Sequence, residues 1–125
     1  MFTYKAKLIE VIDGDTVDLQ IDLGFSVCIS ERFRLYGIDA PEMKTEAGKI
    51  AKSWLQATLF GKERFGQTIK AKRGAKADKY GRFLAILHFD QDAMALNIAE
   101  TKIEMMPESI NWQMVQAKQA VERYW

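Results

Sequence analysis

Hydrophobic and polar residues alternate along three stretches of the first 36 residues, a pattern typical of half-buried strands. The first stretch, residues 2–12, changes parity between Leu8 and Ile9, which predicts a bulge or strong coiling. The second and third stretches, residues 16–22 and 26–36, continue the alternation. The pattern predicts three consecutive, strongly coiled strands of the kind found in small barrels.

The first two predicted strands are joined by Asp13-Gly14, a pair that favours a tight hairpin because glycine accepts a positive φ. Asp15 follows and shares the parity of the apolar residues Val17 and Leu19, so it should point toward the core. A carboxylate in that position is unfavourable unless a cation or hydrogen-bond donors satisfy it. Asp15 is therefore a better candidate than Asp13 for binding a cation, and Asp13 is expected to make the turn.

After residue 42 the hydrophobic period changes from two to about 3.6, which predicts a helix with Thr45 as N-cap and Gly61 as stop. Its apolar face would contain Ala47, Ile50, Ala51, Trp54, Leu55, Thr58 and Leu59. Two more strands, a short helix and a final helix are predicted at residues 67–72, 82–89, 93–101 and from Pro107 or Ser109 onward. Five strands with three helices predict a mainly-β α+β fold, a small Greek-key barrel with helical cover, as a single domain over residues 1–125.

The composition, with 48% hydrophobic and 28% charged residues in 125, is that of a soluble globular domain. No apolar run approaches membrane-spanning length, and no signal-peptide pattern opens the chain. We expect a cytoplasmic monomer if Met1 is the natural start, and a secreted protein if the chain has been trimmed. The single cysteine, Cys28, excludes an internal disulfide and a cysteine-rich zinc site, and its place in a strand predicts a core or subsurface position.

The net charge of +1 does not by itself indicate a nucleic-acid partner, but the charges are unevenly distributed. Residues 62–82 carry eight basic and two acidic side chains, whereas acidic residues dominate residues 10–46. A basic flank beside an acidic pocket fits a polyanion held against a metal site. A solvated basic loop explains the charges equally well.

Arg34, Asp39 and Glu42 lie within a few residues of one another, where the third strand runs into a loop broken by Gly37 and Pro41. Carboxylates at a strand end with a guanidinium nearby could hold a hard cation and a phosphate together. The alternative is a polar turn with a surface ion pair.

Two further strand ends supply related groups, Asp15 in the first hairpin and Arg82 before the fifth strand. Arginine forks match phosphate oxygens, and a carboxylate can take a proton from a water molecule held near a metal. Together these groups meet the requirements for phosphodiester hydrolysis. The lone histidine, His88, is predicted in mid-strand as a packed residue, which disfavours nuclease types built on a catalytic histidine.

Four motifs resemble, in order and spacing, those of the staphylococcal (micrococcal) nuclease family, the thermonucleases. They are Ile12-Asp13-Gly14-Asp15-Thr16, Phe33-Arg34-Leu35, Asp39-Ala40-Pro41-Glu42 and Asp78-Lys79-Tyr80-Gly81-Arg82. The resemblance implies an OB-fold barrel with helices and calcium-dependent cleavage of DNA and RNA, single-stranded or flexible. Cleavage would occur at the 5′-oxygen side of the phosphodiester and leave 3′-phosphate ends.

The resemblance also implies a calcium site formed by Asp15, Asp39 and the backbone carbonyl of Ala40. The family commonly has threonine at the position of Ala40, but the ligand is the carbonyl, so the alanine should be tolerated.

The remaining implied roles belong to residues around the phosphate. Glu42 would be the general base acting through a water molecule, and Arg34 and Arg82 would contact the phosphate, with Arg82 stabilising the transition state or the leaving group. Lys79 and Tyr80 would line the nucleotide pocket.

Two other functions fit the same barrel: a module that binds nucleic acid or protein without cutting, and a purely structural or interaction domain. A domain without catalytic activity would not need to keep Asp15, Arg34, Glu42 and Arg82, and all four are present. The charged set therefore favours the nuclease.

Overall fold

The computed structural model describes residues 3–64, 69–77, 83–89, 103–105 and 107–124. Its strands are β1 (Thr3–Asp13), β2 (Thr16–Asp22), β3 (Cys28–Leu35), β4 (Ile38–Asp39), β5 (Ile69–Ala77), β6 (Phe83–Phe89) and β7 (Val121–Glu122). Its α-helices are α1 (Glu46–Arg64) and α2 (Ile110–Gln116), and a 3-10 turn covers Ile103–Met105. No helix in these ranges is long and apolar enough to cross a membrane.

The long strands close into a barrel in the order β1-β2-β3-β6-β5, with β5 pairing back onto β1. All neighbours are antiparallel except β3 and β6, which run parallel from Phe33 opposite Phe83 to Leu35 opposite Ala85. The predicted fold is thus confirmed as mainly β and OB-like. The exact number of strands and helices stays a prediction, because the third predicted helix, residues 93–101, lies outside the described residues.

The barrel is filled by the inward set of the alternating strands, as the sequence pattern predicts. Val17, Leu19, Phe33 and Leu87 are almost completely buried. The predicted bulge in β1 is confirmed by a register shift between residues 8 and 10 against β2, followed by a second shift between residues 11 and 13. These irregularities coil β1 and help to close the barrel.

Helix α1 begins as predicted, because the Thr45 hydroxyl accepts a hydrogen bond from the Gly48 amide at 3.0 Å. The predicted stop at Gly61 is wrong, since the helix continues to Arg64. The predicted apolar face is only partly right. Ala51, Leu55 and Leu59 are buried, whereas Ala47 and Ile50 are exposed.

Four other local predictions are corrected. Gly14 does not take a positive φ; a Cβ there would lie 2.7 Å from the Ala40 Cβ, so glycine is needed for space. Cys28 is exposed and not in the core, because it lies where β3 has left the closed part of the barrel. β5 extends through Gly74 to Ala77, whereas the pattern placed a loop there. The sequence also predicts one apolar stripe on the final helix, Ile110, Met114, Ala117 and Val121, but α2, with Ser109 as its N-cap, ends at Gln116 before the last two of them.

Candidate active site

Three chain segments meet at one end of the barrel. The ladder between β2 and β3 places Thr16 opposite Arg34, and the Leu35 amide donates to the Asp15 carbonyl at 2.7 Å. The Asp15 amide in turn donates to the Asp13 side chain at 3.0 Å, so Asp13 shapes the turn. The hairpin turn and the end of β3 are therefore fixed against each other by backbone hydrogen bonds.

Asp15 is the buried carboxylate of this end, with 9% of its surface exposed. Its Oδ2 accepts a hydrogen bond from the Ala40 amide at 3.0 Å and lies 3.1 Å from Nη1 of Arg34. Its Oδ1 accepts from the Thr16 hydroxyl at 3.2 Å. The inward orientation predicted from parity is confirmed, and the carboxylate is satisfied by donors from β2, from β3 and from the residue after β4.

Arg34 is also buried, with 6% of its surface exposed. While Nη1 pairs with Asp15, Nη2 donates to the Ile38 carbonyl at 3.1 Å and lies 3.8 Å from Oδ1 of Asp39. A guanidinium is planar and permanently charged, so these contacts fix its orientation. One arginine therefore brings the carboxylates of Asp15 and Asp39 to the same point.

The electrostatic state of Asp15 reflects its burial. Desolvation, assisted by the neighbouring Asp13 side chain, raises the pKa of Asp15 from 3.8 to about 6, although the Ala40 amide and the Arg34 charge act in the opposite direction. Burial of a carboxylate always favours its neutral form, and a nearby cation favours the charged form. For Asp15 the effect of burial is therefore larger than that of the Arg34 charge and the Ala40 hydrogen bond.

Glu42 lies outside this buried cluster. Its side chain is 73% exposed and its Oε2 lies 3.1 Å from Nζ of Lys44. The Glu42 backbone is held more firmly, because its carbonyl accepts from the Thr45 amide and hydroxyl, and any Cβ at Gly48 would overlap it. The loop is fixed in place, but the Glu42 carboxylate faces solvent.

The remaining predicted site residues, Lys79, Tyr80 and Arg82, lie outside the described residues. His88 is buried in β6, as predicted for a packed residue.

A sequence profile of the staphylococcal nuclease homologue family matches residues 32–124. The chain belongs to this family. A comparison with curated protein sequences finds no match. The profile spans β3 to β7 and so includes Arg34, Asp39 and Glu42, while Asp15 precedes the matched range.

Staphylococcal nucleases are in general calcium-dependent, so the described residues can be tested for a fit to calcium. No group of three His, Cys, Asp or Glu side chains that could hold a metal occurs in the described ranges. Calcium, however, accepts backbone carbonyls and water beside carboxylates. Two carboxylates that meet at Arg34, with the Ala40 backbone beside them, fit such an ion.

Two residues of the site were missed by the sequence reasoning. The first is Arg123, whose Nη1 donates to Oδ2 of Asp39 at 3.3 Å and whose amide donates to the Gly37 carbonyl at 2.9 Å. It reaches Asp39 because β4 pairs with β7, Asp39 lying opposite Val121. The sequence around Arg123 contains nothing that indicates a contact with a residue 84 positions away.

The second is Asn111, which is fully buried in α2. Its Nδ2 donates to the carbonyls of Tyr36 at 2.8 Å and Ala85 at 3.0 Å, and its Oδ1 accepts from the Leu87 amide at 3.1 Å. These bonds tie the helix to the loop after β3 and to β6. The signal available in the sequence was the polar amide side chain of Asn111 next to Ile110, an apolar residue of the predicted final helix.

Proposed function

We propose that this chain is a calcium-dependent phosphodiesterase that hydrolyses DNA, RNA or both at the 5′-oxygen side and leaves 3′-phosphate ends. The observation that supports this proposal most directly is the position of the Arg34 guanidinium, between the buried carboxylate of Asp15 and that of Asp39. In a chain of the staphylococcal nuclease homologue family, this arrangement supports a phosphate-binding role for Arg34 and a metal-binding role for the two carboxylates.

Asp15, Asp39 and the Ala40 carbonyl would hold the calcium ion. Bound calcium would neutralise phosphate charge and lower the pKa of a coordinated water molecule. The Ala40 amide and the Thr16 hydroxyl orient the Asp15 carboxylate, so this ligand is positioned before any ion arrives.

Arg34 would bind the phosphate while it remains paired with Asp15. Its contact from Nη2 to Asp39 is 3.8 Å long, too long for a strong hydrogen bond, so a phosphate oxygen can replace it. The bond from Nη2 to the Ile38 carbonyl keeps the guanidinium plane fixed during the exchange. The arginine thus contributes orientation as well as charge.

Glu42 is proposed as the general base that takes a proton from the attacking water, and Arg82 as the group that stabilises the leaving oxygen. The exposed pair between Glu42 and Lys44 is worth at most about 1 kcal/mol, so the carboxylate can turn toward a bound substrate at little cost. Lys79 and Tyr80 are proposed to contact the nucleotide.

A second candidate function is a module that binds nucleic acid without cutting it. The observation that favours it is the exposed Glu42 side chain, which pairs with Lys44 and lies apart from the buried charges.

The two functions are separated by incubating the chain with single-stranded DNA and RNA in calcium and then in excess chelator. The nuclease should cleave only with calcium, and a phosphatase should remove the 3′-phosphate ends from its products. An Asp39→Asn variant serves as the control for contaminating nucleases. Binding of either polymer without cleavage would instead favour the module.

A further inference from the structure

An open cleft of about 580 Å³ adjoins the candidate metal ligands on the C-terminal side of the chain. Asp39 and Pro41 border it on one side, and Val115, Lys118, Gln119 and Val121 border it on the other. Its volume lies within the range of about 300–1,000 Å³ that is typical of small-molecule sites. Asp39 and Ala40, which were proposed above as calcium ligands, line its edge, whereas no role has been proposed for its lining residues from Val115 to Glu122.

The cleft presents apolar surface directly beside the site. Val121 is 61% exposed and lies directly opposite Asp39 in the β4–β7 ladder. Directly opposite residues of an antiparallel pair lie on the same face, with their Cβ atoms about 4.5–5.5 Å apart. An exposed valine and a candidate calcium ligand therefore face the same solvent volume, and Pro41 adds a second apolar surface.

The turn after α2 contributes a cation, Lys118, to the lining of the cleft. Lys118 is exposed and has φ +59°, and its amide donates to the Val115 carbonyl at 3.0 Å. The following amide, of Gln119, donates to the Met114 carbonyl at 2.9 Å. These bonds fix the turn, so the lysine side chain starts from a defined position.

The carboxylates that border the cleft, Asp39 and Glu122, are close to the β4–β7 ladder, whereas Lys118 belongs to the turn. Asp39 faces the cations of Arg34 and Arg123, so the scissile phosphate of the proposed function can lie beside it at Arg34, and Lys118 offers a cation to a second phosphate at the turn. A nucleoside with a phosphate on each side fits this cleft, because its uncharged sugar and base can lie on the apolar surface while its two phosphates lie near Arg34 and Lys118.

We propose that this cleft binds the nucleoside next to the scissile phosphate of a single-stranded polynucleotide. Val121 and Pro41 contact its sugar and base, and Lys118 pairs with the phosphate beyond it. The inference rests on the proposed nuclease function, since it takes the scissile phosphate to lie at Arg34. It adds a subsite formed by the turn after α2 and by β7.

The test measures binding of a fluorescent single-stranded oligonucleotide by anisotropy, in calcium, with Glu42→Gln as a common background that slows cleavage. Adding Lys118→Gln should weaken affinity about three- to tenfold and reduce the slope of log affinity against log salt by about 0.7. Adding Val121→Glu should weaken affinity at least about tenfold, because a carboxylate would occupy the apolar part of the cleft. Lys7→Gln, which removes an exposed charge from β1, is the matched control and should change affinity less than about twofold.

A cleavage assay on the chain with Glu42 intact gives an independent reading. Lys118→Gln should raise KM and leave kcat unchanged, as expected for a group that binds ground state and transition state alike. Thermal unfolding should show the same midpoint for the lysine variants and their background, since the substituted side chains are exposed, and Val121→Glu must remain folded at the assay temperature although its carboxylate lies opposite Asp39.

The outcomes separate the subsite from the nuclease. Equal losses for Lys118→Gln and Lys7→Gln, unchanged affinity for Val121→Glu, or no oligonucleotide binding at all would overturn the subsite, even with cleavage intact. Absence of cleavage together with the expected losses of affinity would overturn the nuclease and support the cleft as a nucleic-acid site.

Discussion

The two ends of the β2–β3 ladder differ in a way that reverses the usual relation between polarity and burial. At the end near the first hairpin, Asp15 and Arg34 are buried, with 9% and 6% of their surfaces exposed. At the other end, Phe25 is completely exposed, and Val27 and Ile29 are 50% and 41% exposed. The segment from Asp15 to Leu35, which contains both strands and the hairpin between them, thus buries charged side chains at one end and exposes apolar ones at the other.

The difference follows from strand pairing. Residues 33 and 34 of β3 pair with both β2 and β6, whereas among the described strands residues 28–32 pair with β2 alone. The hairpin beyond them is closed by the Leu23 amide on the Val27 carbonyl and passes through three residues with positive φ. Burial in this barrel is therefore set by where the strands close. A charge can be buried in the closed part because partners on three segments satisfy it.

The largest difference between a buried and an exposed charge is expected for two separate variants of β3, Arg34→Met and Arg32→Met. Removing Arg34 leaves the buried Asp15 without its cation, and we expect a loss of about 3–5 kcal/mol in the free energy of unfolding, together with loss of cleavage. Arg32 makes a bidentate pair with Asp18 but is 52% exposed, so its removal should cost about 0–1 kcal/mol. Urea denaturation of both variants measures the difference, and equal losses would contradict the assigned burial of the pair.

Glu42→Gln tests a second contrast at the end of the barrel near the first hairpin, because the Glu42 carboxylate is exposed and the Asp15 carboxylate is buried. We expect cleavage to fall about 10²- to 10³-fold, in the range found when one group acting in the transition state is removed. The free energy of unfolding should change little, since the Glu42 side chain is exposed. Glu31→Gln, an exposed acid nearer the apolar end, should cleave as fast as the unmodified chain. A normal rate in folded Glu42→Gln would exclude Glu42 as the base.

The pH dependence of stability tests the buried carboxylate directly. Because the pKa of Asp15 is raised from 3.8 to about 6, the folded state binds more protons than the unfolded state between these values. The stability that protonated Asp15 contributes is present below about pH 4 and is lost as pH rises to about 6, by up to about 3 kcal/mol. In excess chelator, the difference in unfolding free energy between the unmodified chain and Asp15→Asn should therefore decrease over this window. A difference that stays constant or increases would show that Asp15 is not held in a desolvated environment.

The smallest effect is expected at the apolar end. Phe25→Asn removes a fully exposed ring and places a residue that tolerates positive φ at φ +53°. The free energy of unfolding should change by no more than about 0.5 kcal/mol, and cleavage should be unchanged. A large loss of stability or of activity would show that this hairpin has contacts that its exposure does not indicate.

Much of the barrel could be predicted from the sequence because its strands carry local information. The alternation in residues 16–22 and the parity slip near Leu8 predicted β2 and the bulge in β1. The extent of α1 and β5 was predicted less well, since Gly61 and Gly74 were interpreted as breaks. Tertiary pairing and packing outweigh such local preferences.

For the candidate site, parity predicted that Asp15 would be inward, and the motif spacing brought Arg34 and Asp39 into one group. The sequence could not show that Arg123 and Asn111 contact the same loop, because both come from the C-terminal part of the chain. It also could not show that Glu42 faces solvent beside Lys44, since both orientations are compatible with its place in the motif.

The pairing of β4 with β7 has a consequence for the order of events during folding. The Asp15–Arg34 pair joins residues close in sequence, whereas Asp39 receives Arg123 from 84 positions away. Contacts between distant positions form slowly, because a long loop must be closed before they stabilise the chain. In a refolding molecule we therefore expect the Asp15–Arg34 pair to form first and the contact of Arg123 with Asp39 to form last.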